Sequence, residues 1–140
     1  MVDRDLIVAK ADVVKKHVDR ALLKSQVSIS SFLEDRDLQD IVLFNLQMAV
    51  QNCIDIAAHI ISAEGYGVPG SNNEMFYLLE ENGFLETFMV EKMIKAVGFR
   101  NLVVHEYGKL DMKEAYEISR NDIRDLLAYL KEIFKKAGIH

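Results

Sequence analysis

The chain has 140 residues, one proline, one cysteine and a formal net charge of −5. That length is the natural size of a single domain, 1–140, and can bury a proper core without staples. Half of the residues are apolar and 28% are charged, the composition of an ordinary globular protein. Cys53, standing alone, excludes an internal disulfide framework and a cysteine-based zinc site. The start Met1-Val2-Asp3-Arg4-Asp5 is too polar for a secretory signal, and apolar runs such as Ile41 to Phe44 are far shorter than a membrane span. These features predict a cytoplasmic protein with no membrane partner.

Charge is unevenly placed. Residues 1–24 carry a net +2, with Lys16, Arg20 and Lys24 at successive helical turns, whereas residues 64–91 carry six glutamates and no Lys or Arg. A protein that coats nucleic acid indiscriminately is usually basic overall. Any contact with RNA is therefore expected at a local site.

In chain order, helix-period spacing dominates. Residues 2–24 read as an amphipathic helix with Leu6, Val13, Val14, Val18, Ala21 and Leu22 on one side. Ser25 to Ser31 is polar and β-branched, and reads as a loop. Asp35 or Asp37 caps a second helix running to about Glu64. Gly65-Tyr66-Gly67-Val68-Pro69-Gly70 is a firm break. Ser71-Asn72-Asn73-Glu74 matches a capping box and opens a short helix, about 72–82, which Asn82-Gly83 stops. A further helix runs from about Glu86 to near residue 105, with Gly108 as its terminator. Asp111 opens the last helical region, to about Lys136, with a bend or restart at Ser119 to Asp122. No segment alternates with period two. The pattern predicts an all-α, up-and-down bundle of four main helices and a short one.

Two polar groupings interrupt the apolar pattern. In the second helix, Asn45, Asn52, Asp55, His59 and Ser62 fall within about 100° of one another. The plain reading is the solvent face of a core helix. The sharper one is a cleft wall with Asp55 and His59, one turn apart, as a hydrogen-bonded pair. A metal site is not expected, because nothing nearby supplies a third ligand. The other grouping is Gly98-Phe99-Arg100-Asn101-Leu102-Val103-Val104-His105-Glu106-Tyr107. On an ideal helix Asn101 and His105 share one face and Arg100 and Tyr107 share another. Arg100 and His105 lie about 140° apart, so they meet on one ligand only through a helix end or distortion, the reach of the arginine, or a second subunit. The plain reading here is a helix-end arginine and a buried histidine.

The run Arg100-Asn101-Leu102-Val103-Val104-His105-Glu106-Tyr107 fits the R-x4-H-x-Y motif of the HEPN superfamily. It resembles most the HepT branch, the toxin half of MntA–HepT toxin–antitoxin pairs. Cys53-Ile54-Asp55-Ile56-Ala57-Ala58-His59-Ile60, the Gly67-Val68-Pro69 turn, the Phe76-to-Leu79 helix and the Met93-to-Phe99 approach follow the family's order. The likeness spans most of residues 35–107 and, more loosely, the whole chain.

The resemblance implies an HEPN-like helical domain with a metal-independent endoribonuclease site that uses no cofactor. Arg100 and His105 are its implied catalytic residues. Asn101 would orient His105 or contact phosphate, and Asp55 and His59 are candidates for the cleft wall. RNA is cut without metal when its 2′-OH attacks the adjacent phosphorus. Histidine as a residue type suits the base, and a guanidinium suits the phosphorane. One histidine cannot easily begin as both base and acid, and a homodimer would supply a second. The family's antitoxin is a minimal nucleotidyltransferase, MntA-like, that transfers AMP to a tyrosine; Tyr107 matches by position. An alternative carried by the same resemblance is a noncatalytic substrate-binding subunit of a nucleotidyltransferase.

Overall fold

A computed structural model describes residues 1–140 and is helical throughout its ordered elements. The helices are α1 (Arg4–Lys24), α2 (Ile29–Glu34), α3 (Arg36–Glu64), α4 (Asn72–Glu81), α5 (Thr87–His105), α6 (Met112–Glu117) and α7 (Arg124–Ala137). A 3-10 turn, Tyr107–Lys109, follows α5, and a π-helical segment, Ile118–Asp122, joins α6 to α7. This is the all-α bundle the pattern predicts.

The starts of the helices are chemically explicit. Side chains of Asp3, Ser28, Asp35, Ser71 and Asp111 each accept a first-turn backbone N–H. Such caps are each worth about 1 kcal/mol. The capping box at Ser71 forms with one change: Glu74 reaches back to the Gly70 N–H, one residue before the cap, at 2.8 Å. Gly65 ends α3 with φ 69°, a left-handed conformation that favours glycine.

α3 is the central element and packs against α1, α4, α5 and α7. It is long and apolar enough to cross a membrane by composition, but it is mostly buried as the core helix. Three contacts fix the sense of its pairing with α1. Asp3 meets His59, Lys10 meets Asp55 and His17 meets Asn45, so numbers rise along one helix as they fall along the other. The pair is antiparallel. The same holds for α3 and α5, where Gln51 meets Arg100 and Asp40 meets Tyr107, and for α5 and α7, tied by Lys92–Asp125 and Lys95–Asp122. These contacts make an up-and-down arrangement of α1, α3, α5 and α7.

Three local expectations need correction. Residues 29–34, read as the end of a loop and its sequel, form α2. Its weak propensity is overridden by Phe32, fully buried against Tyr116 with ring centroids 5.4 Å apart. The core stripe of α1 is Ile7, Ala11, Val14, Val18 and Ala21, all fully buried; Leu6 stands at 36% exposure on its edge. Gly108 does not terminate α5, which ends at His105; Gly108 lies inside the 3-10 turn. The restart expected at Ser119 to Asp122 is there: α6 gives way to π geometry over Ile118–Asp122, and α7 begins as a separate helix at Arg124.

Candidate functional site

The exposed end of α5 carries the motif. Apolar Val97, Phe99 and Val103 bury the inner side of the helix, which leaves Asn101, Val104 and His105 outward. Arg100 sits at the boundary, half-buried. One terminal nitrogen of its guanidinium donates to Gln51 Oε1 on α3 at 2.6 Å, and the other donates to Asn101 Oδ1 at 3.1 Å. The Nε–H is buried without a hydrogen-bond partner. An orphaned buried donor costs roughly 1–3 kcal/mol, and functional sites are where folds tolerate it. The two remaining N–H donors of the terminal nitrogens are uncommitted, and a guanidinium fork matches phosphate oxygens.

Gln51 is itself oriented. Its Nε2 donates to Asp55 Oδ1 at 2.9 Å, and Lys10 of α1 donates to the other Asp55 oxygen at 3.2 Å. A continuous polar chain therefore runs Lys10–Asp55–Gln51–Arg100 across three helices. The amide cannot flip without placing its NH2 against the cationic guanidinium and its oxygen against a carboxylate.

His105 is exposed at the last position of α5, so the reading of a buried histidine does not hold. α5 is regular through to His105, so no distortion closes the 140° between its ring and Arg100. Asn101 engages Arg100, not His105.

Tyr107 has left the helix. Its 3-10 turn, closed by Lys109 N–H to Glu106 O and Leu110 N–H to Tyr107 O, carries the ring toward α3. There the phenol donates to Asp40 Oδ1. Partial burial, with the Asp40 bond and charge, pushes its ionisation up to about 12, against a smaller opposing effect of Arg36. Arg100 and Tyr107 thus meet α3 at positions 51 and 40, eleven residues and about 16 Å apart along its axis.

The polar stripe of α3 proves not to be a solvent face. Asn45 and Asn52 are buried and return their amides to the carbonyls of Ile41 and Met48, both at 2.8 Å. Asn45 Oδ1 also accepts from His17 Nδ1 at 2.8 Å. Asp55 and His59 do not bond to each other: Asp55 takes Lys10 and Gln51, and His59 Nε2 accepts the Asp3 N–H at 2.9 Å. Only Ser62 of the five is exposed. α1 covers this face because its own stripe needs an apolar partner and supplies polar ones at the margins. No group of three or more His, Cys, Asp or Glu side chains converges as a metal site would require.

Sequence reasoning missed Gln51 and Asp40. Both are common polar residues on a core helix, and nothing local marks them. Their spacing to Arg100 and Tyr107 exists only once α3 and α5 are paired.

The sequence profile described as ribonuclease HepT-like matches residues 14–133. An mRNA nuclease HepT of Shewanella oneidensis is 31% identical over 129 residues, covering 92% of this chain and 96% of the relative. A tRNA nuclease HepT of Aphanizomenon flos-aquae is 24% identical over 128 residues, covering 91% and 87%. The tri-AMPylated Shewanella oneidensis HEPN toxin, solved in complex with the MNT antitoxin, superposes with a TM-score of 0.87 at 30% identity, covering 95% of this chain and 99% of that one. With its motif at the exposed end of α5 and its fold matched over nearly the whole length, the chain belongs to the ribonuclease HepT-like family.

Proposed function

We propose that the chain is a metal-independent endoribonuclease toxin that works as a homodimer and is silenced by AMP placed on Tyr107 by a nucleotidyltransferase antitoxin. The observation that carries this reading is the Arg100 guanidinium, anchored by Gln51 and Asn101 with donors to spare, on the same helix end as an exposed His105.

Catalysis begins when His105 takes the proton of a ribose 2′-OH and the oxygen attacks the adjacent phosphorus. Arg100 neutralises charge on the non-bridging oxygens as the phosphorane forms. Anchoring makes the guanidinium effective, since a donor fixed in advance needs no reorganisation at the moment of reaction. The leaving 5′-oxygen takes its proton from a second imidazole. A regular α5 keeps Arg100 and His105 of one chain on different faces, and a two-fold axis beside the helix end brings in the His105 of a second copy. Val104, exposed on α5 next to His105, gives that face apolar surface for such a contact. RNA reaches the site along local cations, with Lys16 and Arg20 exposed on α1, while the net charge of −5 disfavours indiscriminate binding. The protein acts in the cytoplasm, where its RNA and its antitoxin are made.

Silencing follows from position. AMP on Tyr107 adds a bulky group and about one negative charge where the turn after α5 meets α3, about 16 Å along that helix from the Arg100 contact, so the nucleotide must extend toward the guanidinium to compete for it and obstruct the cleft. Asp55 contributes through Gln51 to holding Arg100, and His59 contributes to seating α1.

The test is RNA cleavage in EDTA by wild type and His105→Ala, with growth measured on expressing the chain alone. Cleavage in EDTA that His105→Ala loses, with growth arrest by wild type, is the expected result. Undiminished cleavage by His105→Ala, or a need for Mg²⁺, overturns the mechanism. Absence of both cleavage and arrest favours a noncatalytic subunit of a nucleotidyltransferase. Sedimentation at micromolar concentration that finds only monomer overturns the shared cleft.

A further inference from the structure

We propose that Asp40 is the general base for nucleotidyl transfer to Tyr107, so that the acceptor chain brings its own base to the reaction that silences it. The proposal rests on the reading of Tyr107 as the AMP acceptor.

The contrast among the five tyrosines makes the case. Tyr116 gives its hydroxyl proton to the Val27 carbonyl and Tyr129 gives its own to the Cys53 carbonyl. A peptide carbonyl cannot carry a proton away. Tyr107 donates to a carboxylate, which can. Tyr66, half-buried, and Tyr77, at 50% exposure on α4, have no carboxylate in hydrogen-bond contact with their hydroxyls. Among these phenols, Tyr107 alone combines partial exposure with a base in hydrogen-bond contact.

The chemistry requires that base. With ionisation pushed up to about 12, the free phenolate at neutral pH is a fraction on the order of 10⁻⁵. Attack must therefore be coupled to proton loss. The phenol oxygen forms a bond to the α-phosphorus of a nucleoside triphosphate, held with its Mg²⁺ by the nucleotidyltransferase. The bond from that phosphorus to the bridging oxygen breaks, and pyrophosphate leaves. The phenolic proton passes to Asp40 Oδ1, and nothing is oxidised or reduced. A positioned aspartate serves a substrate hydroxyl in the same way in kinases.

The surroundings suit an incoming triphosphate. Asp40 is exposed, so water can relieve it of the proton. Arg36, one turn earlier on α3, faces the same phenol and offers positive charge. Other titratable or charged groups facing the pair are His17 and Arg20 from α1, which share a groove with Asp40, and Glu34 from α2, which shares one with Tyr107. Glu106 and Lys109 flank the phenol on its own turn and pair with each other at 3.4 Å.

The experiment measures AMP incorporation by the cognate nucleotidyltransferase at saturating concentration, with ATP and Mg²⁺, by intact-mass spectrometry and peptide mapping. Asp40→Asn keeps an oxygen that accepts the phenol's hydrogen bond but is no base. It is expected to slow transfer about 10²-fold or more at pH 7. Between pH 7 and 9 its rate should climb about tenfold per pH unit, as the phenolate fraction does, while wild type stays nearly flat. Asp40→Glu should recover most of the rate. An Asp40→Asn rate within threefold of wild type overturns the proposal. So does a slowed rate with the wild-type pH profile, which marks a positioning role. Mapping separates this from the underlying reading: AMP on another residue of the wild-type chain overturns the assignment of Tyr107 itself.

Discussion

α3 has two polar margins, and they are put to different uses. Toward α1 it presents Asn45, Asp55 and His59, which meet His17, Lys10 and the Asp3 backbone. Toward the end of α5 it presents Asp40 and Gln51, which meet Tyr107 and Arg100. The first margin satisfies groups that folding would otherwise leave unpaired. The second restrains two half-buried side chains, and the Arg100 guanidinium keeps donors that neither contact uses. Polarity on a core helix is thus no guide to function by itself. What matters is whether the partner has bonding capacity left after the contact is made.

The comparison breaks first at Arg100 and His105. Alanine at either position should lower RNA cleavage by about 10²–10⁴-fold while circular dichroism keeps its helical signature. If each site draws on two chains, mixing the two variants should restore part of the activity in heterodimers. Complete failure with proven subunit exchange places each site within one chain.

Gln51→Ala sharpens it next. The variant keeps Arg100 but loses a bond to a charged donor, worth about 1.5 kcal/mol, so cleavage should fall about tenfold. Full activity in Gln51→Ala would make the anchor dispensable.

On the α1 margin the order of effects inverts. Asn45→Ala strips a buried partner from His17 and should lower urea stability by about 1–3 kcal/mol; His59→Ala should lower it by about 1 kcal/mol, because water can replace its bond to an exposed N–H. Both should cleave RNA within about twofold of wild type. A large loss of cleavage in His59→Ala at unchanged stability would return that residue to the site.

The finest effect is spectroscopic. Burial and the Asp40 carboxylate raise the Tyr107 phenol above its usual value. The stabilisation linked to that raised value is complete below about pH 10 and is lost as pH rises through about 12. Ultraviolet titration, taken as the difference from Tyr107→Phe, should show a phenolate forming near 12, and Asp40→Asn should move it down toward 10.

Much of the fold was legible because its signals are local. Asp35, Ser71 and Asp111 cap the helices they were expected to cap, and Gly65 and Gly83 adopt the left-handed conformation at the expected stops. α2 was not legible, since six weakly helical residues owe their state to Phe32 packing across the chain on Tyr116. The motif residues were visible as a cluster, and a resemblance gave them roles. Their restraints were not visible. Gln51 lies 49 residues from Arg100 and Asp40 lies 67 from Tyr107, and no spacing rule reaches across a helix pairing. The Asp55–His59 pair failed for the converse reason. Neighbours on a helix bond to each other only if no better partner faces them, and α1 provides one for each.

The π-helical segment Ile118–Asp122 bears on inheritance. Ile123 N–H reaches Ile118 O, five residues back, at 2.9 Å. Such a turn takes up one more residue than an α-turn while the helix on either side keeps its facing. A descendant shorter by one residue here would close into an ordinary helix, with Tyr116 and Leu126 still turned to the core. Deleting exposed Asn121 should accordingly change urea stability by only about 1 kcal/mol, whereas deleting a residue between Arg100 and His105 swings one past the other by about 100°. Within one short protein, chain length is free to drift at one helix junction and is held fixed at another.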